Sequence, residues 1–420
     1  MINSGDTAWV LASAALVLFM APGLAIFYGG MVRAKSALNM MMMSFAAIGV
    51  TTIIWVLYGY SLTFGKSQGG LIGDFSHLGL AGTVDQVVGA EGHQIPTLAF
   101  AMFQLTFAII TVALLSGAIA DRAKYGSWVL FVAVWVTLVY IPIAHWAFAS
   151  QGGNGGWIVD KLGALDFAGG TVVEINSGAA ALALAIVLGK RDGFRRDPMR
   201  PHNMPLVLLG AGMLWFGWFG FNAGSALSAG SLAATAMINT QIASAAASMS
   251  WILFEKYRDG KATTLGVASG AIAGAVVITP ACGFINPLGA LILGLIAGVA
   301  SCYAVSRKYK FGYDDSLDVV GVHGVCGIIG MLGIGLLATQ TVNATGQEGL
   351  FINGSFELLT HQVIAILAVA AFSFTATWLI ATAISRTIGF RVLRDEELTG
   401  LDTTYHAESA YDITGNSNRY

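Results

Sequence analysis

Residues 166–189 read DFAGGTVVEINSGAAALALAIVLG, and their pattern decides the fold. The run is long enough to cross a bilayer, which takes about 20 apolar residues. Yet Asp166 stands at its entrance and Glu174 two turns further in. A carboxylate inside hydrocarbon is costly, so it faces a partner or a water-filled path. A second run, residues 318–338 (DVVGVHGVCGIIGMLGIGLLA), opens on Asp318 and holds His323 inside. Two membrane-length segments far apart in the chain therefore each carry a titratable group.

Composition extends that reading to the whole chain. Of 420 residues, 56% are hydrophobic and only 10% charged, and the mean hydropathy is +0.71. A soluble domain carries about 25% charged residues, so the chain reads as an all-α polytopic membrane protein. The net charge of −2 offers no electrostatic footprint for nucleic acid. The 53 glycines and only 8 prolines suit helices packed closely through small residues. Cys282, Cys302 and Cys326 lie in or beside apolar runs with no metal-ligand spacing, and read as inert core thiols. Asp6 and the absence of Lys or Arg before the first long run argue against a signal peptide.

Eleven spans are expected, near 8–32, 38–62, 96–120, 125–149, 167–189, 204–222, 231–254, 262–280, 287–306, 318–338 and 357–385. The connecting loops sort by charge. All but Lys66 and Lys161 of the 21 basic residues follow odd-numbered spans, with Arg419 in the tail. The positive-inside rule then places the N-terminus outside and the C-terminus in the cytoplasm. Residues 1–386 form the membrane domain and 387–420 a polar cytoplasmic tail. Spans one to five and six to ten form two halves of opposite orientation, an inverted 5+5 repeat with span eleven outside it. Asp166/Glu174 and Asp318/His323 then hold corresponding places, although their spacings differ.

Glu174 and His323 are the strongest candidates for chemistry, because a carboxylate–imidazole pair can share or relay a proton in a narrow, poorly hydrated place. The glycines around both let their helices approach. The bland alternative is that each locks local packing. Asp166 and Asp318 read first as helix N-caps, with Asp166 also fixing backbone near an outer cation site. Residues 214–225 (LWFGWFGFNAGS) interleave aromatics with glycine and end in Asn222 and Ser225. They read either as an interfacial aromatic belt or as a cation vestibule, for which Phe103, Phe107, Trp146 and Phe148 could supply further rings. No HExxH motif is present, and a Glu, a His and an Asp alone do not make a typical closed metal site. No cofactor and no enzymatic activity are expected.

Several stretches resemble the ammonium transporter family (Amt/Mep/Rh), above all its Amt/Mep branch. They include PGLAIFYGGMVRAK (22–35), FQLTFAIITVALLSGAIADR (103–122), IPIAH (141–145), DFAGGTVVEINSG (166–178), WFGFNAGSA (218–226), TPACGFI (279–285), DDSLDVVGVHGVCGIIG (314–330) and GLDTTYHAESAY (400–411). The resemblance implies an ammonium transporter in the cell membrane, a homotrimer with one pore per subunit, and a tail similar to those that dock PII-type signalling proteins. Residue by residue it implies an outer ammonium site at Phe107, Phe148 and Ser225, with Trp218 nearby and Asp166 in support. It implies a gate at Phe107 and Phe221, a pore pair at Glu174 and His323, and Phe27 and Tyr28 toward the inner end. Two departures stand out. Glu174 replaces the first pore histidine of bacterial relatives, and Phe148 stands where the outer tryptophan is expected, with Trp146 as a possible substitute. The transporter is expected to recruit ammonium, separate its proton, and pass ammonia and charge through the pore. A sensor signalling through the tail is the alternative function.

Overall fold

Hydropathy and charge alternation demand helices that satisfy their own backbone in lipid, and the computed structural model, which describes residues 1–411, is built of them. Arg419 and the end of the expected tail lie outside the described residues. Among the described residues, eleven helices follow at the expected positions, all of them long except the eighth, which has 15 residues. They are α1 (Ser4–Met31), α2 (Ala34–Phe64), α3 (Thr97–Ile119), α4 (Tyr125–Phe148), α5 (Gly170–Leu188) and α6 (Met204–Gly224). Then come α7 (Ser231–Asp259), α8 (Thr264–Ile278), α9 (Pro287–Phe311), α10 (Val320–Leu337) and α11 (Glu357–Thr387). The small antiparallel pair Val87–Val88 with Ile95–Pro96 lies in the loop before α3.

The inverted repeat is visible in how corresponding helices meet. α1 packs along α6, and α5 along α10. At the first contact, a Cβ added to Gly210 would stand 2.4 Å from Phe27 N. At the second, a Cβ on Gly178 would stand 2.2 Å from Gly324 Cα. Only glycine permits backbones this close, and the contact draws the two titratable groups together.

Asp318 departs from expectation. It does not cap α10. Its backbone adopts φ 66, and its carboxylate takes a 2.6 Å hydrogen bond from Lys308 Nζ. The cap is Asp315, whose Oδ2 accepts from Val320 N at 2.7 Å. The chain turns sharply at Asp318 before the helix begins, so the true cap lies three residues earlier. With that correction the two halves align. Asp166 and Asp315 are separated by the same 149 positions as Glu174 and His323. The unequal spacing read from sequence therefore came from choosing the wrong aspartate.

One face gathers the basic loops into a charged knot. Arg191 pairs with Asp314 at 2.8 Å, and Arg33 with Asp121 at 3.2 Å. Burial pushes the Asp314 carboxyl up, but its bonds to Arg191 and the charge of Arg122 outweigh this and hold it below the usual carboxylate range. The chain after α11 folds back on this knot. Arg391 pairs with Glu397 at 2.9 Å, and Asp402 accepts from Leu38 N at 3.0 Å and Asn39 N at 2.8 Å, meeting the backbone near the start of α2.

Candidate functional site: a buried carboxylate–imidazole pair between two aromatic chambers

The site begins with two interrupted helices. Asp166 Oδ1 accepts from Gly169 N at 2.8 Å and Gly170 N at 2.7 Å, and Oδ2 accepts from Thr171 N at 2.7 Å. Gly169 has φ 119, open in practice only to glycine. The first turn of α5, Gly170–Ile175, is a wide π turn, and α10 opens on another, Val320–Gly324. Such turns shift a side chain out of the helical register and cluster at functional sites. Here one carries Glu174 and the other His323.

The two side chains meet. His323 Nδ1 lies 2.7 Å from Glu174 Oε2, and the residues are 4% and 0% exposed. With the carboxyl ionised, Nδ1–H donates; with it protonated, its O–H donates to the imidazole. Either way one proton is shared in a place without bulk water. Glu174 Oε1 is buried and finds no partner among the described residues. It lines a cavity together with Tyr28, Trp218, Phe221 and His323. That cavity, of about 20 Å³, has room for one molecule the size of water.

Phe107 and Phe221 stack above it, with centroids 4.1 Å apart and planes at 24°. Both are 1% exposed, so the stack is closed. Phe103 packs edge-on against Phe107 at 4.9 Å, and Phe148 does so at 6.3 Å and 85°. Phe148 also lines an open chamber with Tyr60, Phe100, Gln151 and Leu227. Ser225 Oγ donates to Phe221 O at 2.8 Å, tying the hydroxyl to the backbone of the stack.

Three aromatic or polar candidates fall elsewhere. Trp146 is not part of this cluster. Its indole N–H donates to Leu71 O at 2.8 Å and its ring packs on Phe372 at 4.8 Å, so it does not substitute for the expected outer tryptophan. Trp146 and Phe148 are two positions apart, and on a helix that turns them toward different faces. Trp218 lies with Glu174 in the narrow cavity, and its N–H donates to Thr279 Oγ1 at 2.8 Å. Asn222 belongs to the same buried chain, linking Thr279 at 3.2 Å to Thr240 at 2.9 Å. Thr279 had no sequence signal beyond lying in the TPACGFI stretch.

Below His323 a second narrow cavity is lined by Phe27, Tyr28, Met31, Ser269 and Leu317. Beyond Met31 and Leu317 a wider polar vestibule begins, bordered by Arg33, Asp121, Arg191 and Lys308. The candidates thus fall along one track. One aromatic chamber leads to a closed phenylalanine stack, the Glu174–His323 pair, a second aromatic chamber and a charged mouth.

Comparison with known proteins fits this geometry. A sequence profile described as the Ammonium Transporter Family matches residues 8–411. The chain is similar to a protein named "Ammonium transporter" from Mycobacterium tuberculosis (strain ATCC 25618 / H37Rv), 52% identical over 98% of this chain and 91% of that one. It is similar to "Ammonium transporter Amt1" of Archaeoglobus fulgidus, 45% identical over 98% and 100%. Among solved structures it resembles Candida albicans Mep2, at 36% identity and a TM-score of 0.85, covering 94% of this chain and 88% of that one. It also resembles one titled "Sensor Amt Protein", at 28% identity, with a TM-score of 0.86 and coverage of 96% and 98%.

Proposed function

The chain belongs to the Ammonium Transporter Family and is an ammonium transporter; from that premise we propose how its own residues carry out the transport. Ammonium arrives at the outer chamber, where the faces of Phe107 and Phe148 attract it by cation–π interaction and Ser225 offers a hydroxyl. Asp166 stabilises the positive charge from behind while holding the first turn of α5. Phenylalanine is a weaker cation–π partner than tryptophan, so with Phe148 in the outer position this site binds loosely. The gate of Phe107 and Phe221 excludes hydrated ions. A cation with no removable proton meets the cost of desolvation there, whereas ammonium can leave its proton behind and pass as ammonia.

The observation that carries this reading is the 2.7 Å contact between Glu174 and His323 beside a one-molecule cavity. The pair accepts the proton and passes it on; the neutral molecule takes the narrow path. Net charge therefore crosses with each ammonium. In liposomes, ammonium should evoke a current that potassium does not, and electroneutral uptake alone would refute the proton route.

The membrane in question is the cell membrane, with the N-terminus outside and the charged knot and tail facing the cytoplasm, a reading supported by the loop charges. Residues 387–420 act as a separate cytoplasmic unit, of which the described part, 387–411, docks on the membrane domain. The assembly is a homotrimer, to be checked by its mass in native mass spectrometry. The tail face is also where a PII-type signalling protein would bind. Sensing without transport is not favoured, because relatives at up to 52% identity over nearly the full length are named ammonium transporters.

A further inference from the structure

Asp6, in the first turn of α1, is 4% exposed. A buried carboxylate calls for partners, and Asp6 takes them from two separate loops. Its Oδ1 accepts from Ala229 N at 2.7 Å, and its Oδ2 meets His93 Nδ1 at 2.8 Å. Ala229 belongs to the loop from α6 to α7, two positions beyond Leu227, whose backbone adopts φ 53. His93 belongs to the loop before α3. Both loops wall the aromatic chamber beside Phe148, one through Leu227 and the other through Val88, Gly89 and His93. One carboxylate thus pins two walls of the chamber. Asn3 fastens the same corner, its Nδ2 donating to Gly92 O at 2.9 Å and its backbone N to Gln94 O at 2.8 Å.

The bond to Asp6 also sets the chemistry of the ring. An ionised carboxylate only accepts, so Nδ1 carries the hydrogen, and in the neutral imidazole Nε2 is then an acceptor. No described residue bonds to Nε2, and the side chain is 63% exposed. The chamber holds about 290 Å³, room for several waters at about 30 Å³ each. A cation there keeps water around it and is reached by hydrogen bonds as well as by ring faces. Two other polar side chains of the chamber are engaged elsewhere. Gln151 accepts from Ser67 N at 3.2 Å and donates to Gly65 O at 2.8 Å, and Ser150 Oγ donates to Asp160 Oδ1 at 2.7 Å. The titratable groups around His93 are Asp6 on α1, Glu91 in its own loop and Tyr60 among the chamber's rings, together with the terminal amine of Met1, which donates to Gln94 Oε1 at 2.9 Å.

We propose that His93 is a further recruiting residue for ammonium, and that Asp6 is the positioning residue that acts through it. The neutral imidazole accepts an N–H of ammonium at Nε2 in the outer chamber, before the cation reaches Phe107 and Phe148. A protonated ring has no acceptor left and adds a positive charge, so it opposes ammonium instead. Recruitment is therefore strongest when the outer solution keeps the imidazole neutral. This role rests on the outer recruitment step described above, to which it adds a residue and a pH dependence.

The experiment uses the full-length protein in proteoliposomes of one orientation, selected by a tag on the C-terminus. Ammonium is presented to the N-terminal face, with both sides at pH 7.5 or both at pH 5.5, and the evoked current is recorded. His93→Asn places an amide N–H where Nδ1 was, keeping the bond to Asp6, and removes Nε2. At pH 7.5 the half-saturating concentration should rise at least threefold with the maximal current within twofold, and at pH 5.5 that disadvantage should vanish. No rise, or a rise that is the same at both pH values, overturns the role. His93→Gln puts an amide oxygen near the place of Nε2 without a titrating group. It should stay within twofold of the parent at pH 7.5 and surpass it at pH 5.5; behaviour like His93→Asn at both overturns Nε2 as the acceptor. Asp6→Asn can donate to Nδ1 and so turns the ring to the other tautomer. It should raise the half-saturating concentration in the parent and add less than twofold to His93→Asn, whereas equal rises in both remove Asp6 as a residue acting through His93. Phe148→Ala separates the two readings. If it weakens recruitment and His93→Asn does not, the outer site stands and His93 falls; if neither does, both fall.

Discussion

Glu174 Oε2 and His323 Nδ1 stand 2.7 Å apart although they lie 149 positions apart in the chain. Two inverted halves each interrupt a helix with a π turn at the same place, and the backbones touch beside the pair, at Gly178 and Gly324. The contact is therefore a property of the repeat as well as of two side chains.

That contact depends on a bare backbone crossing. Replacing Gly178 with Ala would set a methyl 2.2 Å from Gly324 Cα, where neither backbone can yield cheaply. The variant should lose about 1–3 kcal/mol of stability through overpacking and also separate the pair. A lower melting temperature together with at least a tenfold loss of ammonium current is expected. An unchanged current at normal stability would show that the crossing does not set the pair's geometry.

The closed stack makes its own prediction. Phe221 is 1% exposed and lies at van der Waals distance from Phe107. Phe221→Ala should cost about 3–5 kcal/mol in stability and open a passage wide enough for a hydrated ion. Potassium-evoked current, absent in the parent, should appear. If the variant folds and still rejects potassium, selectivity lies elsewhere than in this gate.

Glu174→Gln keeps shape and removes the ionisable group. Glutamine can accept a hydrogen bond from His323 but cannot pass a proton on. The current should fall at least tenfold or change its pH profile, whereas protein yield and melting temperature should stay near those of the parent. An identical pH–current profile would take Glu174 out of the proton route.

Asp315 offers a pH test with a definite sign. Burial pushes its carboxyl up to about 6, with the Lys308 ammonium pulling down and Asp318 pushing up. Arg122, Arg191 and Asp314 lie nearby on adjoining elements, and Tyr28 faces the group from α1. The folded value lies above the unfolded one of about 3.9, so protonation favours the folded protein. This contribution is complete below about pH 4 and is lost as pH rises through about 6. One consequence should be measurable against Asp315→Asn: the melting temperature of the parent should gain on the variant as pH falls from 7 to 5, and a constant difference would remove Asp315 as the titrating group.

Much of the molecule was legible in its residues for simple reasons. Helices in lipid must be long and apolar, and basic loops mark one side, so even α7, with its polar positions, and the short α8 fell into place by the alternation of charge. Glu174 and His323 stood out because charge inside hydrocarbon needs a reason. Asp315 was overlooked because the apolar run begins three residues later, and the turn at Asp318 that resets the helix start has no compositional mark. Trp146 and Phe148 were both read as candidate rings, since sequence shows neighbours but not which helical face they share. Ser269 left no sign at all. One serine in a small-residue helix is ordinary until the chamber beside it is seen.

The central claim is that proton and ammonia part company at the gate and travel by way of Glu174–His323 and the narrow cavity respectively. Simultaneous recording of charge moved and nitrogen taken up in the same proteoliposomes tests it most directly. The account predicts one elementary charge per nitrogen in the parent, falling well below one in Glu174→Gln. Uptake of nitrogen with no charge in the parent would contradict it.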